Sequence, residues 1–143
     1  MGNIKITESL FIDLPNRHRD ALVASVVMKL ETHYVPMDYS SEHPQKYHWV
    51  YGPDGCPLEQ KRIPQYTTDI SAAWKVLEKM EDEDFWANLT RKTETHKGGP
   101  DEPEWHCRLR CVRGGTRGDH VANSIEAPLA ICRAALKAVG EME

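Results

Sequence analysis

A chain of 143 residues with 22 acidic and 18 basic side chains carries a formal charge of -4. That is enough chain for one hydrophobic core, and the acidic balance argues against a protein that binds nucleic acid non-specifically through a cationic surplus. Mean hydropathy is -0.60, no apolar run approaches the ~20 residues of a membrane-spanning helix, and the opening stretch MGNIKITESLFIDLPNRHRD lacks the apolar core of a signal peptide.

The first periodic segment runs from about Pro15 to Glu31. Ala21, Leu22, Val26 and Leu30 recur at three- and four-residue spacings, after Leu14 and His18. Asp13 is a candidate cap and Pro15 suits a first helical turn. Arg17, Arg19, Asp20 and Lys29 are expected to face water.

From about 32 to 65 periodicity fades. Five prolines punctuate the stretch (Pro36, Pro44, Pro53, Pro57 and Pro64), and Gly52-Pro53-Asp54-Gly55 reads as a turn. Tyr47-His48-Trp49-Val50-Tyr51 is the one strand the composition supports; the remainder is expected to be loop.

Thr67-Thr68-Asp69 opens a second helix, capped by Thr68 or Asp69, with Ala72, Ala73, Val76, Leu77 and Met80 turned inward. The run Glu81-Asp82-Glu83-Asp84 opposes the helix dipole at its C-terminus and should stop it.

Two segments of period-two alternation follow. Phe85, Ala87 and Leu89 oppose Trp86, Asn88, Thr90 and Lys92; Trp105, Cys107, Leu109 and Cys111 oppose His106, Arg108 and Arg110. Such alternation marks half-buried strands, and the connector Lys97–Pro103 has turn composition, so an antiparallel hairpin is expected. The glycine-rich stretch from Arg113 to His120 precedes a short strand at Val121-Ala122-Asn123. A final helix spans about Glu126 to Val139, apolar on two adjoining stripes that only Arg133 and Lys137 interrupt.

The order is therefore helix, strand, helix, strand, strand, a further short strand, helix. This is an α+β domain over residues 1–143, with a small antiparallel sheet of three to four strands, packed helices and a long irregular insertion at about 32–65.

Three stretches together are similar to a known family. Tyr66–Met80 (YTTDISAAWKVLEKM), Ala127–Ala138 (APLAICRAALKA) and Asp20–Ala24 (DALVA) followed by Val27-Met28 resemble the helices of the phage ABA-sandwich family. The resemblance covers most of the chain and departs from the family between Thr32 and Gln65 and in the charged hairpin loop. It implies a small phage-encoded protein with helices on an antiparallel sheet. It implies no catalytic residue, so fold and origin transfer and a site does not.

Cys56, Cys107, Cys111 and Cys132 form no C-x-x-C pair. Cys107 and Cys111, four apart on a strand, stand roughly 13 Å apart and cannot bond. Reduced thiols are expected, in keeping with a host-cytoplasmic protein. Zinc sites show tight paired ligand spacing that this chain lacks, so no metal and no cofactor is expected.

Two features invite an anion. His106, Arg108 and Arg110 alternate on one strand beside Lys92 and Trp86 on its partner, and guanidinium groups grip phosphates while an aromatic ring stacks a base. Arg113 and Arg117 flank consecutive glycines whose amides can converge on an anion, without P-loop spacing. The aromatic cluster Tyr47, Trp49, Tyr51 and Tyr66 offers a base-stacking pocket, with Tyr66 among the candidate ligand contacts. His48, His96 and His120 can meet in space, but no G-x-S-x-G or H-E-x-x-H occurs.

The functional expectation is a non-enzymatic binding protein against host antiviral defence. In its sharpest form it is a homo-oligomeric sponge for a signalling nucleotide, cyclic or NAD-derived. The alternatives are an inhibitor that contacts a host defence protein directly, a hydrolase acting on the same nucleotides, and a double-stranded-RNA-binding-like module. The latter expects a basic cluster at the last helix's N-terminus, where Glu126, Ala127 and Pro128 stand, so nucleic acid is a poor candidate partner.

Overall fold

In the computed structural model of the chain, residues 6–36, 47–53, 59–92, 104–111, 119–140 and 142 are described. The elements are α1 (Glu8–Asp13), α2 (Asn16–Val26), β1 (Thr32–Pro36), β2 (Tyr47–Tyr51), β3 (Lys61–Arg62), α3 (Ile70–Asp82), β4 (Phe85–Lys92), β5 (Glu104–Cys111), β6 (Asp119–Ser124) and α4 (Ala127–Ala138). The α+β class follows the alternation of periods in the sequence. There are two small sheets rather than one: β1-β2-β3 and β4-β5-β6, both antiparallel.

The second sheet and its helices match the sequence pattern closely. Asp69 caps α3 by accepting from the Ser71 amide at 3.0 Å. Ala72, Ala73, Val76, Leu77 and Met80 are buried as their spacing requires. The helix stops where the acidic run begins to oppose its dipole, and Asp84 turns the chain with φ 68° into β4. The hairpin registers Phe85 with Cys111 and Leu89 with Cys107, placing the apolar set on one face. Helix α4 contacts β5, β6 and α3. Its alanines let it lie close to all three, and Ala130, Ala134 and Ala135 are fully buried. Lys137 Nζ donates to the Val121 carbonyl at 2.8 Å, and Arg133 Nη1 donates to the Asn123 carbonyl at 2.6 Å. The two cations interrupting the apolar stripes thereby cover the carbonyls of edge strand β6.

The N-terminal third differs from expectation. The helix expected from Pro15 to Glu31 is α2, which starts after Pro15 and stops early, at Val26; a separate helix not expected from the sequence, α1, precedes it and ends at Asp13. Lys29, at φ 59°, reverses the chain, which no helix-propensity pattern signals. Asp20 does not face water. It is fully buried, with Oδ1 accepting from the Thr67 amide (2.9 Å) and hydroxyl (2.7 Å) and Oδ2 accepting from Arg17 Nη1 (2.8 Å).

Within 32–65 the structure holds three strands where one was expected. β1 pairs Tyr34 with Trp49, and β3 pairs Arg62 with Val50. β1 carries a terminal proline and β3 has two residues. β3 is too short to display alternation, and β1, though as long as β2, does not alternate apolar with polar side chains; both pair with β2. Helix α2 packs on β1 and β2 and also touches α4, linking the two halves of the fold.

Candidate ligand-binding site

The outward face of the second sheet gathers the cationic residues singled out above. Trp86 registers with Arg110, and Arg108 and His106 follow on β5; Lys92 registers with Glu104 at the end of β4. Trp86 is 64% exposed. The neighbouring strand brings a carboxylate into this face: Arg108 hydrogen-bonds Asp119, and Arg110 Nε lies 3.7 Å from the same side chain. The Arg108 hydrogen bond, then the charges of Arg108, Arg110 and His120, hold the Asp119 carboxyl below its ordinary value despite some desolvation. His106 Nδ1 lies 2.6 Å from Asn123 Oδ1. The face is thus a paired polar surface. Arg113 and Arg117 lie outside the described residues.

Tyr66 sits elsewhere, in the core at the entrance to α3. Its carbonyl accepts from Cys132 Sγ at 3.2 Å. Burial, then the nearby Tyr51, Cys132 and Asp20, push its phenol up to about 12. Its surroundings make it a packing residue. Cys107 and Cys132 are buried free thiols, and burial pushes Cys107 up to about 12 and Cys132 well above its ordinary value. Cys56 lies outside the described residues.

A concave site opens in the part of the chain that sequence periodicity left blank. Helix α2, the first sheet and the segment after β3 enclose about 440 Å³, lined by Arg17, His18, Tyr34, Tyr47, His48, Trp49 and Arg62 with Ile63, Pro64 and Gln65. Tyr34 and Trp49 are cross-strand partners, and Tyr47 lies two residues from Trp49 on the same face. Tyr34 stacks on Tyr47 (5.3 Å between centroids, 26°) and leans on Trp49 (4.9 Å, 37°). His18 meets both Tyr34 and Trp49 edge-on, at 5.5 and 5.7 Å. Of the predicted aromatic cluster, Tyr47 and Trp49 belong to this wall, whereas Tyr51 and Tyr66 pack with the core.

The cations are held unequally. Arg17 is fixed by Asp20 and donates through Nη2 to the Ile63 carbonyl, so it braces the cavity's floor. Arg62 is exposed on a two-residue edge strand and has no hydrogen-bond or ion-pair partner among the described residues. Among the described residues, His18 Nδ1, His48 Nδ1 and Trp49 Nε1 are buried with no hydrogen-bond partner. His48 therefore shares a site with His18, while His120 packs against Phe85 in the other sheet and His96 lies outside the described residues. Among the described residues no group of three or more His, Cys, Asp or Glu side chains is arranged to hold a metal ion, and no helix is long and apolar enough to cross a membrane.

The arrangement defines a two-sheet α+β domain with an aromatic- and cation-lined hollow at one of its sheets. Residues 21–136 match the model of the phage ABA sandwich domain, and the chain belongs to that family. Its fold is similar to that of a phage protein from Bacillus cereus known from a crystal structure, with a TM-score of 0.57 over 88% of each chain at 21% identity. No curated protein matches.

Proposed function

We propose that this phage protein captures a small planar anion in the cavity between α2 and the first sheet, without transforming it. The sharpest form of the proposal is a sponge that removes a nucleotide signal of host antiviral defence, cyclic or NAD-derived, in the host cytoplasm. One observation carries the reading: the packed rings of Tyr34, Tyr47 and Trp49 line one cavity together with Arg17 and Arg62. Aromatic faces take a base, and a guanidinium takes a phosphate. Phage membership supports the counter-defence setting. The paired cations of the second sheet offer a poorer cradle, because Arg108 and Arg110 already share Asp119.

Direct blocking of a host protein is the second reading, favoured by the exposed apolar side chains Ile70 and Trp74, one helical turn apart on α3. Duplex RNA is disfavoured because α4 opens on Glu126 and buried Ala127 and Pro128. Calorimetry of the full chain against mononucleotides, cyclic di- and trinucleotides and cyclic ADP-ribose isomers tests the capture reading. Binding is expected, with the ligand recovered intact after heat denaturation and with a stoichiometry that reports any homo-oligomer. Absence of binding across the panel overturns it, and a chemically altered ligand overturns capture in favour of turnover.

A further inference from the structure

We infer that the open edge of β4 pairs with β4 of a second copy of this chain, antiparallel about a two-fold axis at Asn88, joining two β4-β5-β6 sheets into one. The inference is independent of what the cavity binds.

The two edges of this sheet are finished differently. On β6, Lys137 and Arg133 donate to the Val121 and Asn123 carbonyls, which blunts that edge against another strand. On β4, among the described residues, no strand but β5 is a neighbour. Ala87 and Leu89 lie on the core side yet stay half-buried, whereas their register partners Leu109 and Cys107 are fully buried. The core layer is therefore open beside β4.

The β6 contacts also fix which groups β4 presents. Val121 and Asn123 turn their carbonyls to the open side, so His120 and Ala122 bond to β5 at Leu109 and Cys107. The alternate residues of β5, His106, Arg108 and Arg110, then bond to Thr90, Asn88 and Trp86. Phe85, Ala87, Leu89 and Arg91 are left with their amides and carbonyls at the free edge.

This set is self-complementary. Centred on Asn88, an antiparallel second copy sets Phe85 against Arg91 and Ala87 against Leu89, so each of those edge groups is paired. Moving the centre to Ala87 or Leu89 leaves Arg91 or Phe85 facing no strand residue. The faces agree, because core-side Ala87 and Leu89 of one copy meet Leu89 and Ala87 of the other. The charges agree as well. β4 follows the acidic run Glu81-Asp82-Glu83-Asp84 and ends in Arg91-Lys92, so antiparallel copies lay each cationic end beside the other's acidic end. Parallel copies would oppose like charges. Trp86, 64% exposed on the outer side of the strand, stands opposite Thr90 of the second copy and gains cover.

Sedimentation equilibrium of the full chain tests this. Twice the mass of the chain is expected at micromolar concentrations and above, and a monomer throughout overturns the inference. Ala87→Pro removes an amide that faces away from β5, so the chain's own ladder keeps its bonds. The dissociation constant should then rise on the order of tenfold, with circular dichroism unchanged. Asn88→Cys puts thiols on the axis, where facing Cα atoms stand about 4.5 Å apart, within disulfide reach. Under copper phenanthroline it should cross-link to a dimer far more than the unaltered chain. Thr90→Cys, whose two copies stand roughly 13 Å apart along the pairing, should not. Equal cross-linking by the two cysteine variants overturns the antiparallel register. A dimer that Asn88→Cys does not cross-link and Ala87→Pro does not weaken uses another face, and overturns the inference. If Ala87→Pro unfolds, the two cysteine variants decide by themselves. Failure of nucleotide binding leaves each of these outcomes untouched.

Discussion

Asp20 shows how one side chain joins distant parts of the chain. It spends both carboxylate oxygens on Thr67 and Arg17, forty-seven and three residues away. Removing the carboxylate strands a buried amide and hydroxyl and frees the guanidinium that braces the cavity. Asp20→Ala is therefore expected to cost about 3 kcal/mol, and Asp20→Asn less, in urea unfolding. A loss within experimental error would show the network to be incidental. The buried thiols and phenol set a second expectation. Cys107 and Tyr66 ionise near 12 in the fold, against ordinary values of 9.0 and 10.0. The folded chain keeps protons that the unfolded chain gives up, so their contribution is complete below about pH 9 and is lost as pH rises toward about 12. The urea midpoint should fall across that window, and Cys107 and Cys132 should resist a thiol reagent at neutral pH until the chain unfolds. A flat alkaline limb would contradict this.

At the scale of elements, the cavity depends on a small sheet with little stability of its own. Its strands have five, five and two residues, and a sheet this small needs packing from a helix. Gly52 closes it. The Gly52 amide donates to the Glu31 carbonyl at 2.9 Å, and its own carbonyl lies 3.1 Å from His33 Nε2. At φ 137° a side chain is strained there, and a Cβ would stand 2.8 Å from the Glu59 carbonyl oxygen. Gly52→Ala should destabilise by about 2 kcal/mol and weaken ligand binding, while α3 and the β4-β5-β6 sheet keep their amide-exchange protection. Loss of protection in both sheets to the same degree would show that the first sheet is no separate unit. Helix α4 is the opposite case: its small side chains place it against β5, β6, α3 and α2, and it organises the stable half.

At the scale of the molecule, α2 is the shared part. It covers the first sheet and touches α4, and Asp20 ties it to the entrance of α3. Of the four tryptophans, Trp49 reports on the first sheet, Trp86 and Trp105 on the second and Trp74 on α3. Tryptophan fluorescence and far-ultraviolet circular dichroism should therefore give coincident thermal transitions for the unaltered chain, and separated ones for Asp20→Ala. Separation already present in the unaltered chain would refute the coupling.

The sequence by itself determined α3, the β4–β5 hairpin and α4, because each is long enough for its period to show and each buries a continuous stripe. It also placed Trp86, His106, Arg108 and Arg110 on one face, since alternation fixes faces without knowledge of neighbours. Tyr47 and Trp49 were legible as an aromatic pair on one strand. The rest belonged to tertiary structure. β3 is too short to carry a pattern, β1 does not alternate apolar with polar side chains, and both pair with β2. Asp20 is one of several polar residues on α2 by spacing, and only the position of Thr67 turns it inward. Asp119 pairs with Arg108 and lies near Arg110 from a strand whose register no local signal gives. The cavity arises where α2 crosses the first sheet, bringing together residues 17–18, 34, 47–49 and 62–65. Local periodicity is set by neighbours in the chain, whereas a concave site is set by neighbours in space.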